Sequence, residues 1–541
     1  LGKLLLAGGF FILAATGLGQ IISPEIYQTE EDLLEGLQNG ELTFDQYLEL
    51  LDLMRQKEML GEVDTQLVLE VPDLDYSGLD TSDYETKQKL AGYTQTVPVK
   101  KKETRGVIVL QHRQRISEES QPESYFRMRA GNGGSWNFFV ESENEENENR
   151  IKRRGIEFNR TNNWNIVLGN FNPRYGLGVN VGYRTYLNFS SDNSLESENT
   201  FLFPFWTRYN GIFASYQRRN HSASGFYSQN RFGGYKDQVW AGEINLRWRH
   251  FLISPILSYQ EISRGGSKFI SKAGSIFAKI NGEKGEIGGE LAVTDQKEKG
   301  GVAEAFWQPG KKITSQVLFW SYSRDFLHPV SGGKALPDYR LMELENLELE
   351  HRSKQVGETG FYFSNLVRFN PRTRLDIAYQ QWKDGNSYFN KNKARIGIGH
   401  WFKRNLEVRL KQYWEDDNLA ASFSERNTST LVGTYLFTEK TKLQVRLNYR
   451  SSAIEGQNVN STWEEILLYF PVKTNLTSRL RVRYRDDDIS SGEHSSWSFY
   501  IDESFWLADN LKLMAEFVSK EYEDLEREDL QVVRVRMEWS L

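Results

Sequence analysis

The 541-residue chain carries 67 Lys+Arg against 73 Asp+Glu, a net charge of −6, with 39 % hydrophobic residues. A mean hydropathy of −0.59 excludes a polytopic helical membrane protein, which needs repeated apolar runs of about 20 residues. With 14 Trp, 26 Tyr and 32 Phe the chain is too aromatic to be disordered. The absence of cysteine removes disulfide frameworks, thiolate metal sites, iron–sulfur clusters and c-type haem attachment.

Lys3 precedes an uncharged apolar stretch from Leu4 to Leu18, which ends in Gly17-Leu18-Gly19 before Gln20. A basic start, a short apolar run and a small-x-small site form the pattern of a cleaved secretory signal peptide over residues 1–19. No cysteine follows it, so a lipoprotein anchor is excluded. Residues 20–100 hold 18 acidic and five basic residues, which leaves residues 101–541 with a net charge of about +6. Thr29 with Asp32, and Thr43 with Gln46, sit at capping-box spacing. Leu33, Leu34 and Leu37, then Tyr47, Leu50, Leu51 and Met54, form helical apolar stripes, and Asn39-Gly40 separates them. A periplasmic helix pair is therefore expected over residues 20–60. An irregular acidic linker or plug is expected over residues 61–103, interrupted by Pro72 and Pro98.

From about Thr104 the period becomes two. Ile244, Leu246 and Trp248 alternate with Glu243, Asn245, Arg247 and Arg249. Leu406, Val408, Leu410 and Trp414 alternate with Glu407, Arg409, Lys411 and Glu415. Leu443 to Tyr449 and Leu476 to Tyr484 repeat the pattern around Arg446, Arg450, Arg479, Arg481, Arg483 and Arg485. Segments of about ten residues are separated by turn chemistry such as Asn281-Gly282 and Asn370-Pro371. About 26 such segments fit into residues 104–541, which suits transmembrane strands with short turns and some longer loops. In the last one Val533, Val535, Met537, Trp539 and Leu541 alternate with Arg534, Arg536, Glu538 and Ser540.

A soluble sandwich or propeller would also alternate, but its apolar faces pack against another sheet. Here aromatics recur at segment ends (Tyr413-Trp414, Phe470, Tyr484, Phe505-Trp506, Trp539), where interfacial girdles lie. The expected fold is all-β: a large antiparallel transmembrane barrel of about 26 strands, range 22–26, behind a small N-terminal helical segment. The terminal strand resembles the insertion signal of bacterial outer-membrane barrels, with the aromatic at Trp539 and Leu541 at the last position. That resemblance implies partnership with the barrel-assembly machinery and with outer-membrane lipid and lipopolysaccharide.

Val167-Leu168-Gly169-Asn170-Phe171 runs into Arg174-Tyr175-Gly176-Leu177-Gly178. Further on, Tyr322 to Pro329 reads Tyr-x-x-x-Phe-x-x-Pro, and Gly357-Glu358-Thr359-Gly360 follows. These segments, some 60 residues in all, resemble a family of bacterial outer-membrane barrels of Bacteroidetes type that carries a helix-hairpin-helix designation. Two departures stand out: Asn170 replaces the family's Asp, and Gly357 stands where Asn is expected. The N-terminal segment lacks a Gly-x-Gly hairpin, and its acidity opposes the phosphate contacts that drive nucleic-acid binding. No nucleic-acid partner is expected.

The seven histidines, His328 among them, show no metal-ligand spacing, and the chain has no Gly-x-Ser-x-Gly elbow and no P-loop. Asp486-Asp487-Asp488 and the acidic run Glu143 through Glu148 have oxygen chemistry suited to Ca²⁺, but solvated loops account for both more simply. No catalytic site, metal or cofactor is assigned. The basic rows at Arg409, Lys411, Arg446, Arg450, Arg479, Arg481, Arg483 and Arg485 point to one face, where they either favour anions or fill the lumen structurally. Two functions follow. One is a porin-like channel for passive or substrate-selective passage of small polar solutes, with the stretch Arg324–Thr359 as either exposed loop or inward constriction. The other is a scaffold or conduit for secretion or electron transfer, acting with a periplasmic or surface partner docked through residues 25–60. Opposite charge also suggests that part of Gln20–Lys100 plugs the lumen, and a tethered linker is the competing expectation.

Overall fold

A peptide group that faces hydrocarbon has no water to bond, so strands can cross a bilayer only if every edge is paired. The computed structural model meets this condition. It describes residues 107–540, less short stretches in strand connections and most of residues 183–208 and 324–356. Twenty-four strands form a single sheet, each antiparallel to its neighbours. The first, Val107–Ser117, pairs with the last, Leu530–Ser540, setting Val107 opposite Ser540 and His112 opposite Val535. The sheet is thereby closed.

The barrel sheet has 24 strands, within the expected range of 22–26. Met342–Glu345 and Glu348–His351 pair as a separate two-stranded sheet. Four residues are too few to cross a bilayer, which takes roughly 9–11. Met342–Glu345 and Glu348–His351, within the stretch of alternating Leu and Glu, thus pair with each other and not with the barrel sheet. The expected signal peptide, helix pair and acidic linker or plug lie outside the described residues, as does Leu541.

The two ends of the barrel differ. At the end holding Val107 and Ser540, consecutive strands are joined by two to four residues. At the other end the connections include the segments 172–208 and 323–358, between Trp164–Phe171 and Tyr209–Arg218 and between Ile313–Tyr322 and Thr359–Asn370.

Alternation separates lipid face from lumen. Leu257 is 70 % exposed beside a fully buried Ile256, and Leu291 is 73 % exposed beside a fully buried Glu290. The outward face bears two aromatic girdles: Trp414, Tyr449 and Trp497 near the long-loop end, and Trp248, Trp307, Phe402 and Trp539 near the short-turn end. Val533, Val535, Met537 and Trp539 share the outward face of the closing strand, opposite Leu110 and Ile108 at its lower end.

The lipid-facing assignment is tested by Ile466→Arg, an exposed position in the strand Gln457–Lys473. In lipid vesicles this change should cost about 2–4 kcal/mol, read from urea titration. An unchanged unfolding curve would contradict an outward face immersed in lipid.

Candidate functional site

A barrel of this strand number encloses more space than its own side chains fill. Two of its long connections turn into that space. After the strand Trp164–Phe171 the chain enters residues 173–182 and tightens into a turn, with the Gly178 amide donating to the Tyr175 carbonyl at 2.8 Å and Tyr175 to the Val181 carbonyl at 2.9 Å. Gly176 and Gly178 take φ values of 53° and 81°, the left-handed region glycine enters without penalty. Successive amides then point to one spot and form a concave anion-binding nest.

The anion is the protein's own. Glu290, on the inner face of the strand Gly285–Thr294, accepts from the amides of Leu177 (2.7 Å), Val179 (3.1 Å) and Asn180 (3.0 Å), and from Ser275 Oγ (2.7 Å). Glu243 takes the Gly176 amide at 3.3 Å. A Cβ on Gly176 would stand 2.8 Å from Glu290 Oε2 and 2.9 Å from Phe277 Cβ. Glycine is therefore required there by space as well as by conformation.

The second segment docks beside the first. Beyond the strand Ile313–Tyr322, Phe326 folds back onto Tyr322 with ring centroids 5.5 Å apart. This places His328 in the interior, 1 % exposed. Its Nδ1 lies 2.8 Å from Ser271 Oγ, and its Nε2 lies 2.8 Å from Ser258 Oγ and 3.1 Å from Asn180 Oδ1. Ser258 donates to Asn180 Oδ1, so Nε2–H donates while Nδ1 accepts from Ser271: the neutral Nε2–H tautomer satisfies all three contacts. Asn180 Nδ2 donates to the carbonyls of Ile256 and Ala273, and the Gly182 amide donates to the Val330 carbonyl. The two inward segments are thus fastened to the wall and to each other.

The third motif completes the seat. Trp320 Nε1 donates to Glu358 Oε1 at 2.6 Å, and the Tyr322 amide donates to the Glu358 carbonyl. At Gly360 a Cβ would lie 2.4 Å from Trp320 Cζ2, so that glycine leaves room for the indole. Three short motifs far apart in sequence therefore meet in one interior cluster. Its apolar part runs from Phe171 through Ile256, Phe277 and Trp320 to Trp382. Sequence reading singled out the loop motifs and missed Glu290, Ser258, Ser271 and the role of Asn180. Their phase marks them as inward, but nothing local shows what they hold.

Elsewhere the described inner wall carries a set of ionic contacts. Arg446 and Arg483 sit on either side of Glu465: the register sets Arg446 opposite Glu465, and Arg483 Nη2 is 2.5 Å from its Oε2. Arg481 approaches the same carboxylate at 3.9 Å, and Arg479 lies 3.9 Å from Asp502. Guanidinium groups also lie over rings: Arg446 and Arg483 on Trp463 at 5.3 and 5.0 Å, Arg481 on Tyr500 at 4.8 Å. Arg450 and Arg485 are half-buried on the same face, opposite Thr428 and Trp463. Arg409 shares Glu407 with Arg374, at 2.8 and 3.6 Å, and Lys411 is half-buried one inward position further. The acids missing within the strand Leu476–Asp486 up to Arg485 are thus supplied by its neighbours. Asp486 accepts the Asp488 amide at 3.0 Å, an Asx turn that accounts for that carboxylate.

No family model matches the chain, and no curated protein matches it. Among solved structures it is similar to the P pilus usher (PapC) translocation pore, at 11 % identity and a TM-score of 0.42, covering 80 % of this chain and 100 % of that one. The siderophore receptor PirA from Pseudomonas aeruginosa gives 8 % identity, a TM-score of 0.42 and 80 % coverage of both chains. OccK7 (OpdD) of Pseudomonas aeruginosa gives 9 %, 0.37, and coverage of 81 % and 97 %. None of the three reaches a TM-score of 0.5.

Glu290→Ala should strip three buried amides of their acceptor, at about 1–3 kcal/mol each. Amide hydrogen exchange should then rise across residues 175–181 while the barrel strands keep their protection. Retained protection in that turn would show that Glu290 does not hold it.

Proposed function

We propose that the protein is a bacterial outer-membrane channel of porin type, without catalysis, that passes small polar solutes and prefers anions. The observation that carries this reading is the division of the inner wall. The described apolar interior cluster draws its members from Phe171 to Trp382, beneath the two inward segments. The strands from Lys391 to Tyr522 contribute none of it and instead present paired and stacked basic side chains. A solute path then runs off-centre, between the inward segments and the ionic arc.

Anion preference follows from the balance on that arc. Arg446, Arg481 and Arg483 share the single carboxylate of Glu465, so on that part of the described wall cations outnumber the carboxylate set against them. Positive rings lower the barrier for anions and raise it for cations. Guanidinium groups resting on Trp463 and Tyr500 hold their positive charge in place along the inner wall.

Reversal potentials in planar bilayers under a salt gradient test the reading. The native protein should conduct and favour chloride over potassium, and Arg479→Gln with Arg485→Gln should move the permeability ratio toward unity. These two are chosen because Glu465 keeps Arg446 and Arg483 when they are changed. A conducting barrel with cation preference would contradict the charge argument, and a barrel that carries no current would contradict the channel.

A further inference from the structure

The outward face is uneven in charge, and one arc of it has the chemistry of a headgroup site. We infer that the strands from His221–Phe232 to Ser267–Asn281 carry a docking surface for a phosphate-bearing lipid headgroup at the long-loop end of the barrel. The inference rests on the outer-membrane reading for the presence of such a lipid in the facing leaflet.

The register builds the surface row by row. Tyr227 lies opposite Trp240, Trp240 opposite Tyr259, and Tyr259 opposite Lys272. Tyr227 and Trp240 have ring centroids 4.3 Å apart, and Trp240 is 55 % exposed. Such amphipathic rings sit where hydrocarbon gives way to headgroups. One step nearer the loops Gln229, Gln238 and Glu261 follow, with Gln238 Nε2 donating to the Tyr227 hydroxyl at 2.8 Å and Tyr259 donating to Glu261 at 3.0 Å.

One step further the row becomes basic. Arg231 stands opposite Lys236, Lys236 opposite Ser263 and Ser263 opposite Lys268. Strands are spaced at about 4.8 Å, so this row runs roughly 14 Å along the rim. Like charges set directly across a strand pair destabilise it, and Arg231 against Lys236 is such a pair. Across these three rows four cations, Lys272 included, face Glu261 as the one carboxylate at an outward position. Lys268 bonds Glu261 at 2.8 Å yet keeps its side chain 57 % exposed, and Lys272 lies over the Tyr259 ring at 5.9 Å. An anion at headgroup height would relieve the repulsion and accept from several donors at once.

The opposite arc makes the contrast. Its outward positions around Tyr484 and Trp497 include Glu464 and Glu521, both exposed, in register with Tyr484 and Trp497 respectively. A phosphate would be repelled there. Of these two described arcs, only the first suits an anionic headgroup.

Native mass spectrometry of the purified barrel in detergent tests this with a bis-phosphorylated glucosamine-disaccharide lipid and its dephosphorylated counterpart. The native protein should retain the phosphorylated lipid. Arg231→Gln, Lys236→Gln and Lys268→Gln together should weaken retention on the order of 100-fold. Glu261→Gln should strengthen it, and Glu464→Gln with Glu521→Gln should leave it unchanged. Equal retention of both lipids, or equal retention by native and triple-variant barrels, would overturn the inference. Retention is read without any current, so the outcome is independent of whether the lumen conducts.

Discussion

The rest of the structure depends on the obligation to pair every backbone group that meets hydrocarbon. Closure between Val107–Ser117 and Leu530–Ser540 meets it, but closing 24 strands leaves an interior that wall side chains alone cannot fill. The protein handles that interior in two ways. Over one arc it covers the wall with its own inward segments and an apolar cluster. Over the other it lets charged side chains face inward and neutralises them across strands.

The second solution carries its own constraint. A row of arginines on one strand would repel itself, so the neighbouring strand must bring a carboxylate to the same level. Glu465 does this for Arg446, Arg481 and Arg483. Glu141 does it on the far side of the closure, bonded to Arg127 Nε at 2.6 Å and to Arg153 at 2.6 and 2.7 Å. Such buried pairs add little net stability, but removing one partner costs about 3–5 kcal/mol because the other charge stays buried. The register is thereby specified by charge as well as by the apolar face. A one-residue slip would turn Glu465 to lipid and Ile466 into the lumen.

Much of this was legible in sequence because a strand's faces alternate with a period of two. That pattern marked the barrel strands, the lipid face of Val533, Val535, Met537 and Trp539, and the inward phase of Arg446 and Arg483. It left the Leu and Glu alternation of Leu341–Leu349 open as loop or constriction, since periodicity reports phase and not depth. The inward fold of residues 173–182 and of Phe326, His328 and Val330 was open in sequence, because an apolar loop motif reads alike on either side of a rim. Glu290 was invisible for a related reason: its partners are backbone amides 110 to 113 residues earlier in the chain. Among the described residues the interior filling comes from connections between strands.

The central claim is that the two inward segments, held by Glu290 and His328, set the width of the path. Single-channel recording of a Glu290→Ala, His328→Ala double variant beside the native protein tests it most directly. Freed from the wall, the segments should move, giving a larger mean conductance with frequent transitions between levels. A conductance and noise spectrum identical to the native protein's would mean that the path is narrowed elsewhere.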